Sequence, residues 1–204
     1  MNHSTTPSIR RLCIYCGSSP GSGEAYATAA RATGRSLAQR GIALVYGGGN
    51  VGMMGRIADA VLDAGGEVIG VIPHHLADKE LAHERATQMI RVNSMHERKQ
   101  TMADLSDGFI TLPGGIGTLE EMFETMTWLQ LGLHRKPVGL LNVDGFFDSM
   151  LGFLDHMVAE RFLKPEHRDL LMVDDDIERL IGRLASFEAP DAQKWLDQAA
   201  KDLR

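Results

Sequence analysis

The chain has 204 residues, 44% of them hydrophobic and 24% charged, the composition of a soluble globular domain rather than of a disordered or membrane protein. Its length fits one domain spanning residues 1–204 with a single core. With 21 Lys+Arg against 27 Asp+Glu the formal charge is −6, which argues against a surface that grips nucleic acid through counterion release and requires any anionic ligand to find a local site.

Short apolar runs rich in β-branched residues alternate with longer stretches of helical period, which predicts an α/β fold: a Rossmann-like three-layer sandwich with a mainly parallel sheet flanked by helices. The predicted strands are Arg11–Cys16, Ile42–Tyr46, Glu67–Val71, Gln88–Val92, Gly108–Leu112 and Val138–Asn142. Between them the spacing predicts helices over Glu24–Arg40, Val51–Ala64 and Ser94–Ser106, the first two stopped by Gly41 and Gly65-Gly66. Thr118–Gly132, Phe146–Phe162 and Asp175–Phe187 continue the helical pattern, and Asp191–Leu203 reads as a short terminal helix. Cys13 and Cys16 lie three apart in a strand and so point to opposite faces, which argues against a disulfide, zinc or thioredoxin-like site. The polar start, Met1 to Ser8, lacks the apolar core of a signal peptide, and no apolar run reaches the length of a membrane span, so a cytoplasmic location is expected. His74, His75 and His83 fall in a segment, His74–Arg85, that interrupts the alternation and reads as a solvated surface excursion. Without a Cys or a His-Glu-x-x-His spacing they do not make a metal site.

Two glycine-rich loops each follow a strand and open a helix, where unpaired backbone N–H groups and the helix dipole favour an anion such as phosphate. One is Gly47-Gly48-Gly49-Asn50-Val51-Gly52-Met53-Met54-Gly55; the other is Pro113-Gly114-Gly115-Ile116-Gly117-Thr118-Leu119-Glu120-Glu121. Neither has the Gly-Lys-Ser/Thr of a Walker A loop, and the overlay of Gly-x-Gly-x-x-Gly on Gly47–Gly52 is too dependent on a glycine triplet to indicate NAD.

The second loop resembles the Pro-Gly-Gly-x-Gly-Thr-x-x-Glu motif of the LOG (Lonely Guy) cytokinin riboside 5′-monophosphate phosphoribohydrolases at every fixed position. Tyr15-Cys16-Gly17-Ser18-Ser19, the Gly47–Gly55 loop and Ser94-Met95-His96-Glu97-Arg98-Lys99 extend that resemblance over roughly Leu12–Leu180. It implies hydrolysis of the N-glycosidic bond of a nucleoside 5′-monophosphate, with no cofactor and no metal. Such cleavage builds positive charge at C1′ and the ring oxygen and needs an anion beneath the sugar. By matching position, Glu121 is the carboxylate that serves the ribose and the oxocarbenium-like state, and Arg98 balances charge on the phosphate or the leaving side. The resemblance also implies substrate contacts at Ser18, Gly48, Met95, Arg98, Lys99, Gly114, Gly115, Gly117, Thr118 and Glu121. An older label of lysine decarboxylase, carried by some relatives, would require a Schiff-base lysine that nothing in the sequence identifies.

Each assignment has a structural competitor. Thr118-x-x-Glu121 is also a capping box, although a cap does not need three glycines before it. Ser94-x-x-Glu97 is another, and there the cap is the better reading of Glu97. Arg98 and Lys99 could be an ordinary solvated pair, although a cation near the positive end of a helix suggests an anion nearby. Met53, Met54, Met122 and Met126 read as packing residues, and Glu120 and Glu124 as surface or hydrogen-bonding residues. A non-enzymatic nucleotide or molybdenum-cofactor carrier on the same fold is the alternative function, and retention of Glu121 with Arg98 favours the hydrolase. No nucleic-acid or membrane partner is expected. The family similarity and the apolar stretch Met122–Leu131, which covers more than one helix face, imply a homodimer.

Overall fold

The computed structural model describes residues 9–77 and 82–190. Seven strands, β1 (Arg11–Tyr15), β2 (Ala43–Tyr46), β3 (Val68–Pro73), β4 (Gln88–Val92), β5 (Gly108–Thr111), β6 (Val138–Leu141) and β7 (Leu171–Asp174), form one sheet in the order β4-β3-β2-β1-β5-β6-β7, every pair parallel. Alternation along the strands divides the core. Leu12, Ile14, Leu44 and Tyr46 face one side, against helices α1 (Glu24–Gln39), α2 (Gly52–Asp63) and α8 (Ile177–Ala185). Cys13, Tyr15, Val45 and Phe109 face the other, against α4 (Met95–Leu105), α5 (Ile116–Gln130) and α6 (Asp148–Ala159). Two further helices are single turns: α3 (His74–Ala77) and α7 (Pro165–Arg168).

The expected strands and long helices are present within a few residues of their predicted bounds, and Gly41 and Gly65 hold the positive φ of helix stops, +66° and +77°. The free thiols of Cys13 and Cys16 are buried on opposite faces, as the strand period requires. Three features depart from expectation. β7 is an edge strand of four residues that the pattern left unassigned between the Phe146–Phe162 and Asp175–Phe187 helices. α5 begins at Ile116, so its N-cap is Gly115 and Thr118 lies in the first turn. The described parts of the His74–Arg85 segment are not simply solvated: Ala77 and His83 are buried, and Ala82 forms an antiparallel bridge with Gly49 at the end of the β2 glycine loop. The expected helix over Asp191–Leu203 lies outside the described residues.

The strand order reverses direction between β1 and β5, and there two parallel strands send their connections to opposite faces and leave a crevice at their carboxyl ends. Both the loop after β1 and the loop after β5 open into it. They are joined by backbone hydrogen bonds from Leu112 N–H to Tyr15 O (2.8 Å) and from Gly17 N–H to Pro113 O (3.1 Å).

Candidate active site

A cavity of about 370 Å³ lies over this crevice, lined by Cys16, Gly17 and Ser18 after β1, Gly47 after β2, Met54, Leu76, Met95 and Arg98, and by Gly115–Thr118, Glu120 and Glu121 at the start of α5. A second cavity of about 310 Å³ shares Gly17, Ser18 and Gly115 with it and continues past Gly114 to Tyr26 and Phe146. The floor between them is backbone. A Cβ at Gly114 would sit 2.2 Å from the Thr118 hydroxyl oxygen and 2.8 Å from the Gly17 nitrogen, so the loop closes only because residue 114 has no side chain. Gly115 caps α5 without a side-chain hydrogen bond, and the first amides of the helix, those of Ile116, Gly117 and Thr118, have no acceptor within the helix. Their positive end faces the cavity, the arrangement that holds a phosphate. The capping-box reading of Thr118 and Glu121 falls with this geometry, since Thr118 is inside the helix rather than at its cap.

Glu121 is half-buried one turn into α5. Behind it lie groups that keep its surroundings dry: burial, and then the Glu121 carboxylate, raise the thiol pKa of Cys16. Burial likewise raises Tyr15, on which Cys13 and Glu121 also act. Thr125, one turn further along, donates its hydroxyl to the carbonyls of Glu121 (3.0 Å) and Met122 (2.9 Å).

The other charge in the cavity is Arg98. It is only 7% exposed, and the glycine at position 47 makes room for it: a Cβ there would lie 1.9 Å from Arg98 Nη2. Nη2 donates to the Gly47 carbonyl (3.1 Å), Nη1 reaches Met95 Sδ (3.7 Å), and Nε is buried with no hydrogen-bond partner. These partners are a backbone carbonyl and a thioether, neither of which carries a charge to balance the guanidinium. A buried cation left in that state is costly unless an anion arrives. This disposes of the solvated-pair reading for Arg98.

Lys99, equally buried, is spent elsewhere. Its ammonium is held by Glu120 and by Glu124 (2.9 Å). Burial works against its charge, but the two carboxylates outweigh that and raise its pKa above the usual lysine value. It does not line the cavity, and its expected substrate contact is replaced by a brace between α4 and α5. Gly48 is likewise turned away, against Ile72 and Met89, and Gly47 takes its place in the wall. Ser18, Met95, Gly115, Gly117, Thr118 and Glu121 are brought together with Arg98 as expected, and Gly114 lines the adjoining cavity. Ser94 accepts from Glu97 N–H (3.1 Å), while Glu97 accepts from Asn93 N–H (2.7 Å), so Glu97 is a capping residue. The four methionines are buried, Met54 at the cavity wall. Leu76, which also lines the cavity, was not legible because its segment reads as surface; it lies in α3, the single turn that directly follows β3.

His74 and His75 are exposed while His83 is buried, and among the described residues no three His, Cys, Asp or Glu side chains are grouped to hold a metal ion. No helix among the described residues is long and apolar enough to cross a membrane.

Residues 54–184 match the family described as possible lysine decarboxylase. The chain is 50% identical over 179 residues, 88% of its length and 79% of the relative's, to a protein of Oryza sativa subsp. japonica named probable cytokinin riboside 5′-monophosphate phosphoribohydrolase LOGL9. It is 47% identical over 180 residues, 88% of this chain and 79% of the relative, to the Arabidopsis thaliana protein named cytokinin riboside 5′-monophosphate phosphoribohydrolase LOG5. Among solved structures, the molybdenum cofactor binding protein of Rippkaea orientalis superposes with a TM-score of 0.65 at 21% identity, over 86% of this chain and 95% of that one, a likeness of fold.

Proposed function

The chain belongs to the LOG family of phosphoribohydrolases, and from that premise we propose that it hydrolyses the N-glycosidic bond of a nucleoside 5′-monophosphate, a cytokinin riboside 5′-monophosphate or AMP, to free base and ribose 5-phosphate. One observation carries the reading: a buried arginine and a half-buried glutamate line the same cavity as the open start of α5.

The 5′-phosphate lies on the first amides of α5, with Arg98 as its counter-charge; charge-assisted contacts of this kind are worth about 1.5–3 kcal/mol each. Glu121 faces the ribose. As the C1′–N bond breaks, its electron pair leaves with the base and positive charge spreads over C1′ and the ring oxygen, where the carboxylate stabilises it. Water then adds its oxygen to C1′. One of its protons is released and the departing base gains one, so the sum is monophosphate plus water giving base plus ribose 5-phosphate.

A lysine decarboxylase reading finds no support at the site, since no lysine lines either cavity among the described residues and Lys99 is held in ion pairs. A cofactor carrier shares the fold, but the relatives near 50% identity are named as hydrolases, and a carrier has no use for Glu121.

The same reading makes the protein a cytoplasmic homodimer. Met122, Met126 and Leu129 pack α5 on the sheet, whereas Leu131 and Leu133, just past its end, are 49% and 70% exposed and leave an apolar surface there for a partner. A specific two-fold contact would bury about 800 Å² on each subunit, and light scattering at micromolar concentration tests it: a monodisperse monomer mass would remove the dimer.

The activity is tested by incubating the protein with AMP, and separately with a cytokinin riboside monophosphate, without added metal or nicotinamide. Chromatography should show base and ribose 5-phosphate in equal amounts; no base from either substrate would overturn the reading.

A further inference from the structure

His83 is 3% exposed and belongs to neither cavity wall, yet three contacts bind its short segment to the β2 glycine loop and to α2. Its backbone N–H donates to the Gly48 carbonyl (3.0 Å), and the preceding residue, Ala82, bridges Gly49. Its ring Nε2 lies 3.2 Å from Asp59 Oδ1 on α2, the helix that the same loop opens. Asp59 is held in turn by Arg85 Nη1 (3.0 Å), whose Nη2 pairs with Asp63 (2.6 Å). With Nε2 donating to Asp59, Nδ1 is left as a buried acceptor with no partner. A leucine of similar volume would fill this position without stranding a polar atom, so packing alone does not account for an imidazole here.

The neighbouring glycine gives the reason. Gly48, whose carbonyl His83 holds, adjoins Gly47, whose carbonyl receives the Arg98 guanidinium. The loop is therefore gripped from two sides, by the His83 segment and by Arg98, and a shift at Gly48 moves the acceptor on which Arg98 rests. We propose that His83, anchored by Asp59, is a positioning residue that fixes the Gly47–Gly49 loop and through it the placement of Arg98 in the cavity. The inference rests on the phosphoribohydrolase reading given above, since it assigns Arg98 to substrate.

The test compares kcat and KM for AMP in the wild-type chain, His83→Leu, His83→Gln and Asp59→Ala, with hydrogen exchange followed in the peptide spanning residues 46–55. His83→Leu and Asp59→Ala should each lower kcat/KM by about tenfold, the scale on which a small misplacement of a reacting group is felt. His83→Gln, whose amide nitrogen can replace Nε2, should recover most of the loss, and the 46–55 peptide should exchange faster in His83→Leu than in wild type. In an Arg98→Gln background His83→Leu should cost no further activity, because the two changes act on one element. Equal losses in the two backgrounds, or wild-type rates in both His83→Leu and Asp59→Ala, would overturn the proposal. If His83→Leu does not fold, Asp59→Ala, at a half-exposed surface position, decides in its place. A wild-type chain that releases no base would remove the hydrolase reading instead, and unchanged exchange in the 46–55 peptide would then overturn the clamp on its own.

Discussion

The two glycine loops read alike in sequence, each between a strand and a helix, yet they do opposite things. The β5 loop spends its glycines on access: Gly115, Ile116 and Gly117 are exposed and their amides open on the cavity. The β2 loop spends them on support: Gly48 gives its carbonyl to His83, and Gly47 clears the space that Arg98 fills. A glycine run at a helix start is thus a receptor only where its amides are left unclaimed, and a scaffold where neighbouring chain has claimed its carbonyls. The same contrast recurs on α4, where Lys99 is paired twice and braces the fold while its neighbour Arg98 reaches the cavity wall with a hydrogen bond to the Gly47 carbonyl.

The largest effect should come at the receptor. Glu121→Gln should leave the melting temperature within a degree or two of wild type and lower turnover about 10²–10³-fold, as expected when about 3–4 kcal/mol of preorganised charge is lost. A normal turnover with a lowered Tm would return Glu121 to a structural role.

The α4 pair divides the next effect. Arg98→Ala should cut kcat/KM sharply with little loss of stability, while Lys99→Met should cost roughly 1.5–3 kcal/mol of stability, the worth of hydrogen bonds to charged groups, and retain more activity than Arg98→Ala. Urea unfolding curves beside kinetics for both variants separate the two roles; a Lys99→Met protein as stable as wild type would break the distinction.

The glycines themselves sharpen it. Gly48 has φ +80°, so Gly48→Ala should destabilise by about 1 kcal/mol or more. Gly117 lies within α5 with open space around its missing Cβ. Gly117→Ala should therefore raise stability by about 0.4–1 kcal/mol while raising KM, because the methyl group enters the receptor side. If both substitutions lowered Tm without touching KM, the loops would not differ as described.

The smallest effect is a pH dependence remote from the cavity. His134 stacks near Phe109, its Nε2 donates to the Thr125 carbonyl (2.9 Å) and its Nδ1 accepts from Lys136 N–H (3.1 Å), an arrangement of the neutral ring. Burial lowers its pKa below the usual 6.5. The unfolded chain therefore takes up a proton before the folded one does, so this contribution is complete above pH 6.5 and is lost as the pH falls below it toward the folded value. His134→Gln should flatten the stability profile over that interval, and an unaltered slope would contradict the assignment.

Much of this organisation was legible in the residues. The β-branched runs located six strands, and the strand period alone separated Cys13 from Cys16. What was not legible depended on contacts distant in sequence. β7 has four residues, too few for its period to mark it as a strand. The capping box at Thr118 and Glu121 matched a local rule, but the helix starts at Ile116 because Gly115 caps it. Lys99 reads as a ligand beside Arg98 until Glu120 and Glu124 arrive from another helix, and His83 acquires its contacts only where Ala82 and His83 meet the β2 loop.

The central claim, that the start of α5 and the buried Arg98 receive a phosphate while Glu121 serves the sugar, is met most directly by one comparison. Base release is measured from AMP and from adenosine under identical conditions, and kcat/KM is taken for each. Loss of one or two charge-assisted contacts, about 1.5–3 kcal/mol apiece, predicts a preference for the monophosphate of at least about tenfold and up to about 10⁴-fold. Equal rates for the two substrates would contradict the account.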